Sequence, residues 1–187
     1  TFTRNRTSFS GSGESGDRWT ATYNTYAGYL KVWLVDYRGS EISLPASAEL
    51  TLVESSKNTI TAEAGNPAIS CRGWLSLSTE CSDGKHPSLV ASAGAGAPAV
   101  TADRVMAYRA PHIELIAGEG STVFAGGTPL EVNAYACSFS GVRSGETDTV
   151  TLDPDNMPAE LSRLLIHPQM YMLSVNGGGT ATTPDGK

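Results

Sequence analysis

The chain has 187 residues, 40% of them hydrophobic and only 17% charged, with a formal net charge of −6. A chain of this length buries enough surface to hold a core without staples, and its thinly scattered Lys and Arg offer no cationic face to phosphates, which excludes a general nucleic-acid role. No stretch approaches the ~18 consecutive apolar residues of a membrane-crossing helix, so membrane insertion is not expected.

Residues 1–17 and 176–187 are rich in Gly, Ser and Thr and read as linker-like flanks of a module belonging to a longer polypeptide. Between them the pattern alternates with period two. A first strand is expected over 19–26 and the strongest over 29–37, where Leu30, Val32 and Leu34 face one way and Tyr29, Lys31, Trp33, Val35 and Tyr37 the other. Asp36 ends the apolar face, as if the strand leaves the core there. Further strands are expected over 48–54, 58–63, 68–77, 104–110, 112–116, 122–124, 130–139, 147–152 and 170–175, separated by Gly, Pro, Asn and Asp turn signals. The segment 92–100, SAGAGAPAV, reads as a small-residue loop packed close to its own body or to a partner.

One short helix is expected over 158–166. Asp155 and Asn156 offer capping oxygens, Pro158 suits the first turn, and Leu161, Leu164 and Leu165 form a one-sided stripe. No internal repeat stands out and no boundary divides the chain. The expectation is therefore an all-β single domain over 1–187, a β-barrel or β-sandwich with that one helix. Leu30, Val32, Leu34, Leu50, Leu52, Ile113, Leu115, Val132 and Leu164 should line its core.

Chemistry-bearing motifs are sparse. There is no G-x-S-x-G elbow and no phosphate-cradling loop. His112 and Glu114 share a strand face, but two ligands do not define a site, and the spacing of Cys71, Cys81 and Cys137 fits no zinc pattern. A Cys71–Cys81 bridge and buried thiols both remain open. Asn5-Arg6-Thr7 is a glycosylation sequon. No catalytic residue, metal or cofactor is expected, and the chain does not read as an enzyme.

Aromatic residues are the remaining lead: Tyr23, Tyr26, Tyr29, Trp33 and Tyr37 fall close together, and such side chains serve both core packing and recognition. Any binding site should be a shallow patch at Trp33, Tyr37 and Arg38, where the aromatic face runs into the Gly39 turn. Arg38 would offer a planar fork to a sugar carboxylate or a protein acid.

In length, strand density and flanking linkers, the region 19–175 resembles the projecting spike domain of viral capsids, astrovirus capsids in particular. That resemblance carries no individual residue with it. It implies a compact β domain on the virion surface that forms a homodimer and attaches to a host cell-surface receptor, glycan or protein. The alternative is a glycan-binding adhesin or phage tail-tip module, secreted or on a bacterial cell surface. A third reading is a secreted hydrolase.

Overall fold

A computed structural model describes residues 8–12, 18–24, 28–80, 85–107, 112–126, 130–132, 137–153 and 156–168. The all-β expectation holds: the described residues form strands in several sheets closed around one apolar core, and none of them forms a helix of even one full turn. No described helix is long and apolar enough to cross a membrane.

The chain begins with β1 (Ser8–Ser12) and β2 (Arg18–Asn24), which pair antiparallel with each other and onto β3 (Tyr29–Val35). Thus part of the expected N-terminal linker is a strand. From β3 onward the chain winds through three sheets in turn. The first coil is β3, β4 (Arg38–Gly39) and β5 (Ile42–Leu44). The second is β6 (Ala48–Val53), β7 (Lys57–Thr61) and β8 (Ile69–Cys71). The third is β9 (Trp74–Glu80), β10 (Ser88–Ser92) and β11 (Val100–Thr101). The fourth is β12 (Arg104–Ala107), β13 (His112–Ile116) and a bridge from Phe124 to Val100. β14 (Leu130–Val132) then returns to the first sheet.

Each coil lies parallel on the one before. The result is a parallel β-solenoid, whose coils bury their inward side chains against their neighbours. Val32 stands opposite Leu50, Leu50 opposite Leu77, and Leu77 opposite Ala107. The antiparallel strands β15 (Cys137–Arg143), β16 (Val150–Leu152) and β17 (Leu161–Pro168) close the second sheet, where β17 pairs with β13 and β15 with both β17 and β16.

The expected helix over 158–166 is corrected by β17. Leu161 and Leu164 both point inward, and their three-residue spacing imitates a helical stripe. The register against β15 explains it: Val142 pairs with Arg163 and Arg143 with Leu161, so β17 carries an extra residue, Ser162, at which the period-two pattern skips and residues three apart share a face. The expected strand over 68–77 splits at Arg72–Gly73, where Gly73 takes φ +126° and the chain turns from the third sheet to the first. Asp36 does leave the core, at φ 52°, and its carboxylate accepts the Lys57 backbone N–H at 2.9 Å.

Leu30, Val32, Leu34, Leu50, Leu52, Ile113, Leu115 and Leu164 are buried as expected; the Val132 side chain, the strand over 170–175 and the flank 176–187 lie outside the described residues. Cys71 and Cys137 are buried thiols without a disulfide, which removes the Cys71–Cys81 bridge; Cys81 itself lies outside the described residues.

A repeat also emerges once the coils are superposed by register. AEAGNPAI over 62–69, AGAGAPAV over 93–100 and AGEGSTVF over 117–124 occupy the same corner, between the second sheet and the third. Their fourth residues, Gly65, Gly96 and Gly120, all take positive φ, between 78° and 84°. The small-residue loop is therefore one member of a stack. A Cβ on Gly94 would run into the Glu63 carbonyl, and one on Gly118 into the Gly94 carbonyl.

Candidate functional site

Inward positions of a solenoid are occupied by the core, so ligand chemistry falls to outward positions and corners. Two outward surfaces carry polar and aromatic groups.

On the first sheet, Lys31, Trp33, Glu49 and Glu80 face outward, with the buried hydroxyls of Thr51 and Ser78 on the same side of the sheet. The Lys31 ammonium lies 3.2 Å from a Glu80 oxygen and 3.6 Å from a Glu49 oxygen, and 4.9 Å from the centre of the Trp33 ring. Trp33 Nε1 donates to Glu80 at 3.1 Å, and Ser78 Oγ donates to Glu49 at 2.8 Å. The Trp33 N–H, acting with Lys31 and against burial, holds the Glu80 carboxyl below its usual range. Beside this cluster the Tyr29 and Trp74 rings meet at 5.3 Å and 49°. Trp33 is half-buried on an outward face, so it is no core residue, and Lys31 on the same face is ion-paired and half-exposed.

On the second sheet, a shallow groove of about 640 Å³ opens at the β4 edge, lined by Arg38, Ser40, Lys57, Thr59, Thr61 and Glu63. The pairing of β4 with β7 sets Arg38 beside Thr59. Arg38, Lys57, Thr59, Thr61 and Glu63 are all exposed. The floor is rigid because Tyr37 holds the corner from both backbone ends: its N–H donates to Asn58 Oδ1 at 2.9 Å and its carbonyl accepts from Thr59 N at 2.7 Å. The Tyr37 hydroxyl donates to the Ser40 carbonyl at 3.1 Å, and its ring lies against Gly39, where a Cβ would meet the Tyr37 hydroxyl at 2.6 Å.

The three expected site residues are thus divided. Trp33 belongs to the first sheet, Arg38 to the groove on the second, and Tyr37 to the corner between them, half-buried and engaged with its own turn. Sequence reasoning missed Lys57, Thr59, Thr61 and Glu63. Their signal was present as a polar residue at every second position from Lys57, with Asn58 and Ile60 facing inward. Their placement beside Arg38 follows only from the parallel pairing of β4 and β7.

The chain matches no known family, no characterised protein and no solved structure.

Proposed function

We propose that this chain is a non-catalytic attachment module that binds an acidic glycan in the groove beside Arg38. The observation that carries this reading is the make-up of that groove: Arg38 and Lys57 line it together with Thr59 and Thr61, with Glu63 the one carboxylate of the lining. A planar guanidinium matches a carboxylate through two parallel hydrogen bonds, and hydroxyl-lined shallow surfaces suit sugars. Such a site binds weakly alone and gains strength by repetition, so the module would work as a homodimer, or in many copies, on a virion or cell surface.

The test is binding to sialylated glycans and to their desialylated counterparts. Arg38→Ala should lose about tenfold in affinity, the equivalent of one charge-assisted contact, and Trp33→Ala should bind as the unaltered protein does. Equal binding by Arg38→Ala overturns the reading. Loss at Trp33 alone would move the site to the first sheet, where Trp33, Tyr29 and Trp74 present half-buried aromatic rings.

A further inference from the structure

The three histidines of the chain, far apart in sequence, meet on the outer face of the second sheet. His86 stands just before β10, His112 opens β13, and His167 lies near the end of β17. These three strands are consecutive in the sheet. The register accounts for the meeting: Ser88 lies opposite His112, and Ile113 opposite Ile166, which leaves His112 and His167 as cross-strand neighbours. The His86 and His112 ring centres are 6.1 Å apart with perpendicular planes, and the His112 and His167 centres 5.8 Å apart at 75°.

Two imidazoles that share one ion at about 2.0–2.1 Å per bond set their ring centres roughly 5–6 Å apart. We propose that His86, His112 and His167 bind one imidazole-preferring divalent transition-metal cation, such as zinc, on the outer face of the second sheet. The rings meet edge to face, and no three ligating groups among the described residues converge on a point as they stand. The central ring, His112, is exposed at the first residue of its strand, so a turn of that side chain toward both neighbours would leave the core undisturbed. His167 Nε2 lies 3.4 Å from Ser140 Oγ, which orients the ring and leaves its other nitrogen for the ion. Lys85, next to His86, is directed to Glu54 at 3.5 Å.

The consequence is structural. His86 belongs to the third coil, His112 to the fourth and His167 to the antiparallel cap, so one ion ties the end of the solenoid to its closure. An ion that binds only the folded chain raises its melting point.

The test uses the full chain, stripped with chelator and titrated with zinc chloride by calorimetry. One ion per chain is expected with micromolar affinity, together with a rise of about 5 °C in melting temperature at a hundredfold excess over Kd. A His112→Gln/His167→Gln variant should keep its metal-free melting point and lose at least tenfold in affinity. Equal zinc affinity in the two proteins overturns the proposal, as does binding no tighter than millimolar by the unaltered chain. A variant that fails to fold does not block the test, because imidazole nitrogen resonances of the unaltered chain report the ligands directly. All three should shift by one equivalent of zinc; unmoved resonances overturn the site.

Discussion

Asn58 is nearly fully buried in β7 and places all its polar atoms. Its amide donates to Ser56 Oγ at 2.9 Å and to the Ser88 carbonyl at 3.2 Å, and its oxygen accepts from Tyr37 N, so one side chain joins three successive coils. Its inward orientation is legible from its phase with Ile60; its partners in other coils are not. Cys71 is a similar case. Its thiol lies 3.2 Å from the Ala46 carbonyl and 3.3 Å from the Trp74 carbonyl. Burial, helped by the charge of Asp103 and opposed by the Ala48 backbone, pushes its pKa from 9.0 to about 11. A folded-state pKa above the unfolded one contributes stability that is present below the unfolded value and lost as pH rises. Denaturant melts should therefore show stability falling between pH 9 and about 11 more steeply for the unaltered protein than for Cys71→Ala. Identical slopes would mean that the thiol is not buried as described.

At the scale of elements, the stacked corner explains why the small residues of 93–100 are needed. Gly94 and Gly118 do not take the left-handed backbone; they are small because the preceding coil's carbonyl occupies the space of a Cβ. Gly120, two residues on, has φ +78° and open space around it. The two glycines should respond differently to alanine. Gly118→Ala must displace backbone in a packed stack and should cost about 3 kcal/mol, whereas Gly120→Ala meets only left-handed strain of about 1 kcal/mol. Urea titrations of both variants check the order, and a reversed order would show that the coils do not stack as described. β17 makes the complementary point. Its leucines carry good helical propensity, and pairing with β13 and β15 on either side overrides it.

Across the whole molecule, a parallel stack has two ends, and each exposes unpaired strand edges unless covered. β1 and β2 cover the edge of the first sheet beside β3, while β15, β16 and β17 extend the second sheet beyond β13. The C-terminal strands bury Phe139, Leu152, Leu161, Leu164 and Ile166 in the same core as the coils. A chain ending at Gly126 should therefore lose solubility or self-associate through β13, as light scattering and size-exclusion chromatography would show. A soluble monomer of that length would mean that the coils close without the cap.

The sequence by itself determined that the strands are short, where most of them lie and which side chains face the core, because period-two burial is written in the local order of residues such as Leu30, Val32 and Leu34. It also placed Asp36 at the point where the first long strand leaves the core. Pairing direction was not legible. The step from coil to coil runs from Leu30 to Ala48, then to Leu75, then to Val105, so its length changes each time and hides the repeat. Only the tertiary structure decided that Arg38 lies beside Thr59 and Trp33 beside Glu80, and that His86, His112 and His167 stand together. Contacts between coils depend on how much chain each corner consumes, and that length is set by packing rather than by any local pattern of residues.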